Sequence, residues 1–244
     1  MNLILLDPAE VTSDGTVTLR DGRARHLLTV LEVTTNQEVR VGLLDGPAGT
    51  GRVLAAADGA VILACSFGDT PLEPPVDLLL ALPRPKVLHR LWAQFAALGV
   101  GRIVLTNAAR VERQYFDTHV LDERVYRPLL IEGLQQARDT RVPRVSIHRQ
   151  FRILVEDDLE TLCPGTARLL ADPSGELAIG RALSGAGGSR VLLAVGPEGG
   201  WNAFEHNLLL AHGFRTVAIG SRPLRSDTAC IALLALVHES LRAT

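Results

Sequence analysis

The chain has 244 residues, a formal net charge of −2 and 47% hydrophobic residues, enough to build a core in one large domain or in two smaller ones. No apolar run approaches the roughly 18 residues of a membrane span, and the first ten residues lack the basic segment of a secretory signal peptide. Cys65, Cys163 and Cys230 lie far apart, and the histidines form no HxH or HxxxH pair. We therefore expect a cytoplasmic protein with reduced cysteines, no metal and no membrane contact.

Charge is distributed unevenly along the chain. Residues 84–152 carry 13 basic and 6 acidic side chains, whereas residues 1–83 carry 5 basic and 11 acidic ones. A basic middle between acidic flanks is typical of a local contact with a polyanion. Arginines scattered over solvated helices would give the same pattern, so charge alone leaves both interpretations open.

The first 72 residues are predicted to form a small β-rich domain. Short strands are predicted at residues 3–6, 39–44, 51–56 and 60–65, with turn signals at 45–47 and 58–59, and residues 23–33 have the apolar spacing of a helix. The tract TPLEPP at residues 70–75 is the best domain boundary in the chain. The second domain is therefore predicted over residues 73–244.

In this second domain, strands and helices alternate, which predicts an α/β fold with a parallel sheet. The predicted strands are residues 76–82, 102–106, 144–148, 167–171, 191–195 and 214–220. The predicted helices are residues 87–98, 121–138, 152–162, 203–212 and 229–241.

A glycine-rich turn, GPEGG at residues 196–200 (the GPEGG loop), follows the apolar strand predicted at 191–195. Asn202 is a candidate N-cap, and Glu205 three residues later completes a capping box for the next helix. A strand, a glycine turn and a helix bring bare backbone N–H groups to a ligand at the carboxyl end of a sheet. The glycines alone would fit an ordinary strand–helix connection equally well.

A second polar loop strengthens the case for a ligand site. Residues 224–229, LRSDTA (the LRSDTA segment), come between the strand predicted at 214–220 and the last helix. Together, GPEGG and LRSDTA resemble the signature of the SPOUT methyltransferases. They are most similar to the RsmE-type 16S rRNA uridine-N3 methyltransferases, whose second motif is LR-x-E-T-A, with Asp227 here in place of glutamate. The joint match is specific, whereas either motif alone is weak.

The resemblance spans nearly the whole chain and is loosest over residues 1–143. The predicted β-rich domain resembles the PUA-like domain that precedes the catalytic domain in this family. Glu32 stands where the family commonly has arginine, Ala97 where it has glutamate, and Asp139 follows a divergent QQAR sequence at 135–138. These departures leave the exact target nucleotide the least defined part of the resemblance.

The resemblance implies a fold, a cofactor and partners. The fold would be a SPOUT-type parallel sheet with a C-terminal trefoil knot threaded from about Leu192, preceded by a small PUA-like β-barrel that contacts RNA. The protein would be a homodimer that binds S-adenosyl-L-methionine and acts on 16S rRNA of the small ribosomal subunit. The residues expected to bind the cofactor are Ala171, Gly196, Pro197, Glu198, Gly199, Gly200, Ile219, Gly220, Leu224, Ser226, Thr228 and Ala229. Those expected to bind RNA are Arg23, Arg25, Arg84, Lys86, Arg90, Arg110, Arg138 and Arg141.

Methylation at uridine N3 requires loss of the N3 proton, so a base or a cation that stabilises the uridine anion is needed. Arg225 is the candidate cation, because its charge is permanent and it lies on the loop before the last helix. Asp227 or Glu198 would orient it or accept the proton. Asp227 would equally serve as the N-cap of the last helix, and Glu198 would equally bind loop amides.

Other functions stay open at this stage. They are a SPOUT methyltransferase that acts on a different RNA site, a non-catalytic PUA-type RNA-binding protein, and another α/β enzyme that binds a nucleotide at the same sheet edge. The binding module would not need both motifs, and the other enzyme would not need the β-rich domain. ATP hydrolysis and hydride transfer are disfavoured, because the GPEGG loop lacks the lysine of a Walker A motif and the GxGxxG pattern.

Overall fold

The computed structural model describes residues 2–184, 190–220, 222 and 224–242. This part of the chain divides into two compact units. The first comprises the described residues up to Glu73 together with residues 131–142, and the second comprises the rest. The sequence assigns residues 131–142 to the second domain, so their place in the first unit is a feature that the local pattern does not reveal.

The first unit is built on a five-stranded sheet with the order β1-β3-β4-β5-β2. Its strands are β1 (Ile4–Leu6), β2 (Thr16–Leu19), β3 (Glu38–Leu43), β4 (Ala48–Ala57) and β5 (Ala60–Phe67), and its helix is α1 (Gly22–Thr29). A short 3-10 turn covers Pro8–Glu10. The sequence did not predict β2, although its alternating burial is that of a strand with one face on the core. Buried valines and leucines from all five strands form that core.

Residues 131–142 are held in the first unit by hydrogen bonds to its turns. Thr140 is fully buried, and its hydroxyl donates to the carbonyl oxygen of Gly46 at 2.6 Å. The amide of Val142 donates to a carboxylate oxygen of Asp45 at 2.9 Å. Arg141 donates from Nε to the carbonyl oxygen of Pro71 at 2.8 Å. Because these bonds join residues about seventy to a hundred positions apart, neighbouring sequence carries no signal for them.

The second unit contains a six-stranded parallel sheet with the order β11-β9-β10-β6-β7-β8. Its strands are β6 (Val76–Ala81), β7 (Val100–Thr106), β8 (Arg144–His148), β9 (Ala167–Ala171), β10 (Val191–Val195) and β11 (Arg215–Val217). Every residue of β6 and β10 is buried, as in a sheet with both faces covered. The predicted α/β fold with a parallel sheet is confirmed.

The five predicted helices of the second domain form with different boundaries, and the helix α6 (Ile179–Leu183) was not predicted. The helices described after β6 are α2 (Pro85–Ala97), α3 (Glu123–Ala137), α4 (Phe151–Ile153), α5 (Leu159–Leu162), α6, α7 (Ala203–Ala211) and α8 (Ser226–Arg242). The single helix predicted at 152–162 is interrupted by a π-helical turn at Leu154–Asp158, and 3-10 turns at Arg113–Asp117 and His119–Leu121 precede α3. The last helix begins three residues earlier than predicted, so Asp227 lies inside its first turn, where an acid favours the helix dipole.

The position of β9 brings three strand ends together. Ala171 at the end of β9 is paired with Val195 of β10 on one side and with Val217 of β11 on the other. The predicted strand 214–220 therefore stops at Val217, three residues short of its predicted end. The loops that follow β9, β10 and β11 leave the sheet at one level of its carboxyl edge, which is where parallel α/β sheets bind ligands.

Candidate functional site

A cavity of about 790 Å³, counting the part open to solvent, lies at the carboxyl ends of β9, β10 and β11. Its size is typical of a site for a small molecule or cofactor. Both motifs contribute to its wall, together with the loop after β9 and the first turns of α8. The predicted cofactor contacts that line it are Ala171, Gly196, Pro197, Glu198, Gly200, Ile219, Gly220, Leu224, Ser226 and Ala229. Gly199 and Thr228 lie outside this lining.

Several lining residues were missed by the sequence reasoning. They are Asp172, Pro173, Val195, Trp201, Val217, Ala218, Arg222 and Leu233. Asp172 and Pro173 had a signal, because they begin the polar turn directly after the strand predicted at 167–171. The same argument that selected the loops after β10 and β11 would have selected them. Leu233 is separated from the motifs by one turn of α8, and only the packing of that helix brings it to the cavity.

Asp172 places an ionised carboxylate in the cavity wall. Burial opposes ionisation, but its Oδ1 accepts hydrogen bonds from the amide of Ser174 at 2.8 Å and from its hydroxyl at 2.6 Å. Nε2 of His206 lies 3.6 Å from Oδ2. The hydrogen bonds and the imidazole outweigh the burial, so the pKa of Asp172 is lowered from its ordinary value of 3.8. The carboxylate therefore stays available to a cationic or hydroxyl group of a ligand.

Trp201 and Gly196 form one wall of the cavity through a close approach. The indole of Trp201 is 8% exposed and packs on Phe151 with ring centroids 5.2 Å apart. A Cβ atom on Gly196 would lie 2.9 Å from Nε1 of Trp201, so only glycine leaves room for the indole. This buried N–H has no hydrogen-bond partner among the described residues. An unpaired buried N–H is uncommon in folded proteins, and this one belongs to a residue of the cavity wall.

The turn within the GPEGG loop is fixed by backbone geometry. The amide of Gly200 donates to the carbonyl oxygen of Pro197 at 2.8 Å, and Gly200 has a φ of 76°, which favours glycine. The predicted capping box is confirmed, because Asn202 accepts from the amide of Glu205 and Glu205 accepts from the amide of Asn202. The helix that follows the loop therefore starts at a defined residue, Ala203.

Three of the arginines predicted to bind RNA contact the two motifs. Arg84 forms an ion pair with Glu198 at 3.2 Å. Arg90 forms one with Asp227 at 3.3 Å. Arg110 donates from Nη1 to the carbonyl oxygen of Gly199. These arginines come from α2, its N-cap and the loop after β7, so three basic side chains from the middle of the chain contact the motifs.

The remaining basic candidates lie in varied surroundings. Arg23 is 17% exposed and forms ion pairs with Glu10 at 2.5 Å and Asp21 at 2.8 Å, which raise its pKa. Its guanidinium also donates to the carbonyl oxygen of Leu5, so Arg23 holds the first unit together. Arg141 likewise donates to a carbonyl oxygen of the first unit, that of Pro71. Exposed side chains are found at Arg25, Lys86 and Arg138.

The catalytic candidates occupy three different positions. Glu198 lines the cavity, whereas Arg225 is exposed beside it, between the lining residues Leu224 and Ser226. In the described part of the chain, the Arg225 guanidinium makes no hydrogen bond or ion pair. Asp227 is not an N-cap: it lies in the first turn of α8 and accepts from the amide of the next residue at 2.9 Å. Pro223, which directly precedes the LRSDTA segment, lies outside the described residues.

Neither a metal cluster nor a membrane span is found in the described ranges. Their His, Cys, Asp and Glu side chains include no group of three that could hold a metal ion. No helix in the same ranges is long and apolar enough to cross a membrane.

The sequence is similar to a family of known proteins. Residues 70–238 match the family model of the RNA methyltransferase domain. Ribosomal RNA small subunit methyltransferase E of Treponema pallidum (strain Nichols) is 30% identical over 100% of this chain and 92% of its own length. The Synechocystis protein of the same name is 27% identical over 93% of this chain and 74% of its own length.

Solved structures share the fold. The crystal structure of a ribosomal RNA small subunit methyltransferase E from Neisseria gonorrhoeae, bound to S-adenosyl methionine, superposes with a TM-score of 0.75. It is 22% identical, and the match covers 98% of this chain and 97% of that one. With the family model and the full-length relatives, the cavity built from both motifs leads to one conclusion: the chain belongs to the ribosomal RNA small subunit methyltransferase E family of RNA methyltransferases.

Proposed function

We propose that the protein transfers a methyl group from S-adenosyl-L-methionine to N3 of a specific uridine in 16S rRNA of the small ribosomal subunit. The observation that carries this proposal is the single cavity formed by the GPEGG loop and the LRSDTA segment at three aligned strand ends. Membership of the family and the cofactor named for the Neisseria structure supply the reaction and the methyl donor.

The residues of the cavity suit this cofactor. S-adenosyl-L-methionine supplies an electrophilic methyl group on a positively charged sulfur. The lining offers carboxylates at Asp172 and Glu198 for positive charge and hydroxyl groups, and an unpartnered N–H at Trp201 for an acceptor. Gly200 lines the cavity without a side chain, so its backbone is open to close approach by the ligand. We therefore assign Asp172 and Trp201 to the cofactor site beside the residues predicted from the motifs.

The proposed chemical role of Arg225 is electrostatic. Its guanidinium is exposed at the cavity edge and is free to donate paired hydrogen bonds to a uracil carbonyl oxygen as negative charge develops on the ring. Asp227 and Glu198 are the candidates to orient Arg225 or accept the N3 proton, and they form ion pairs with Arg90 and Arg84, respectively.

The finer architecture is proposed from the family. We infer a C-terminal trefoil knot in a SPOUT domain over residues 73–244, and a PUA-like, RNA-contacting barrel over residues 1–72. The exposed side chains of Arg25, Lys86 and Arg138 would bind the RNA. The protein would work in the cytoplasm, where its substrate is assembled.

A homodimer is part of the proposal. Ile231 and Leu236 of α8 are 37% and 44% exposed, so they offer apolar surface to a second copy. Light scattering at micromolar concentration tests this point, and a stable, active monomer would contradict it.

Two measurements test the function itself. Calorimetry with S-adenosyl-L-methionine is expected to show saturable binding, whereas a non-catalytic RNA-binding protein would show none. Methyl incorporation is then compared between assembled small subunits and naked 16S rRNA, with the product nucleoside identified by chromatography and mass spectrometry. A methylated nucleoside other than N3-methyluridine would keep the methyltransferase and reject the proposed target.

A further inference from the structure

The loop after β7 is fastened to the start of α7 by one buried carboxylate. The amide of Ala109 donates to Oε1 of Glu205 at 2.6 Å, and the amide of Asn202 donates to Oε2 at 2.9 Å. Glu205 is 4% exposed, so both oxygens are committed to backbone groups in a site shielded from water. The capping residue of α7 thus also fixes a loop that lies 96 residues earlier in the chain.

Arg110, the next residue on that loop, contacts the backbone of the GPEGG loop. Its Nη1 donates to the carbonyl oxygen of Gly199 and lies 3.5 Å from that of Gly200. The amide of Gly200 belongs to the same peptide as the Gly199 carbonyl, and it donates to Pro197 at 2.8 Å. This peptide is therefore held on both edges. Its orientation decides which backbone groups of Gly200 face the cavity.

The absence of a side chain at Gly199 makes room for the side chain of Arg110, and not for a ligand in the cavity. A Cβ atom on Gly199 would lie 2.9 Å from Cδ of Arg110, and Gly199 is outside the cavity lining. The arginine stem thus occupies the space that a larger residue at 199 would need. Arg110 therefore restrains Gly199 in two ways, by the packing of its aliphatic stem and by its hydrogen bond to the Gly199 carbonyl oxygen.

We propose that Arg110 is a positioning residue for the GPEGG loop, acting through the Gly199 carbonyl, and that it is not an RNA contact. The inference rests on the proposed function only in taking S-adenosyl-L-methionine as the ligand. A guanidinium is suited to this role because it is always charged and its donors are fixed in a plane. Loss of a hydrogen bond from a charged donor is expected to weaken cofactor binding about tenfold.

The test compares Arg110→Ala with Arg113→Ala, an exposed arginine three residues later that makes no hydrogen bond or ion pair with the described residues. Calorimetry should give a roughly tenfold higher Kd for S-adenosyl-L-methionine in Arg110→Ala alone. Affinity for the small-subunit RNA should equal that of the wild type in both variants. Arg110→Lys should restore part of the loss, since lysine also donates to a carbonyl oxygen.

A second readout needs no cofactor. Hydrogen exchange of the Gly200 amide in the free protein should be faster in Arg110→Ala than in Arg113→Ala, with equal Tm values. An unchanged cofactor Kd together with weaker RNA binding would overturn the positioning role. If the wild-type protein itself binds no S-adenosyl-L-methionine, the proposed function fails, and the exchange of Gly200 then decides the role of Arg110 by itself.

Discussion

The guanidinium of Arg90 lies 3.3 Å from the carboxylate of Asp227, which is 137 residues further along the chain. Arg90 belongs to α2 and Asp227 to the first turn of α8, so the ion pair joins the basic middle of the chain to the LRSDTA segment. The side chain of Arg90 is 66% exposed and that of Asp227 25%. Such a pair stabilises a fold by less than about 1 kcal/mol, so its value to the protein lies in orienting Asp227.

The pair predicts coupled effects on the reaction. Arg90→Ala and Asp227→Asn should each lower the single-turnover methylation rate, and the double variant should be no slower than the slower single one. Neither should change Tm by more than a few degrees. Arg152→Ala, which breaks an exposed ion pair with Glu156 elsewhere, is the matched control and should react at the wild-type rate. Additive effects of the two substitutions would show that Arg90 and Asp227 act separately.

A second prediction concerns Gly200, which lines the cavity with a φ of 76°. Alanine there should cost about 1 to 2 kcal/mol in backbone strain and should also block close approach of the cofactor. Gly213→Ala is the matched control, because its φ is 83° and nothing lies within 4 Å of an added Cβ. Both variants should lose similar thermal stability, whereas only Gly200→Ala should bind S-adenosyl-L-methionine at least tenfold more weakly by calorimetry. Equal cofactor affinity in the two would place the ligand away from the Gly200 backbone.

Arg225 and Arg222 should affect different steps. Arg225→Ala is expected to lower the single-turnover rate at saturating RNA and cofactor by about 100- to 1000-fold, as for loss of one preorganised donor. Arg225→Lys should also be impaired, because lysine keeps the charge and loses the paired donors. Arg222 lines the cavity, so Arg222→Ala should raise the cofactor Kd and leave the saturated rate close to normal. A near-normal saturated rate in Arg225→Ala would instead assign Arg225 to RNA docking.

The last prediction is a pH dependence of stability that arises at His238 on α8. Burial of the imidazole, and secondarily the charge of Arg242, lower its pKa from the ordinary 6.5, and its Nε2 has no hydrogen-bond partner among the described residues. The unfolded chain therefore takes up a proton near pH 6.5, whereas the folded chain takes it up only at lower pH. Stability is fully present above pH 6.5 and falls as the pH drops from there through the folded pKa. His238→Gln should have a smaller difference in Tm between pH 7.5 and 5.5, and an unchanged difference would contradict this assignment.

Local sequence determined the elements that carry the site. Residues 191–205 encode an apolar strand, a glycine turn and a capped helix, and all three form as predicted because each depends on neighbours within a few residues. The alternation of strands and helices likewise determined the parallel α/β sheet. The two motifs were sufficient to indicate the family, since their residue types and spacing are read directly from the chain.

Tertiary structure alone decided what surrounds those elements. The placement of β9 between β10 and β11 sets Ala171 opposite both Val195 and Val217, and this register adds Asp172 to the cavity. Burial and hydrogen bonding likewise placed residues 131–142 in the first unit. The arginines show the limit most clearly: composition indicates that they cluster, but not whether a guanidinium meets a phosphate, a carboxylate or a carbonyl. Their partners are about 90 to 140 residues away, and contacts over such separations are set by strand order and packing rather than by neighbouring residues.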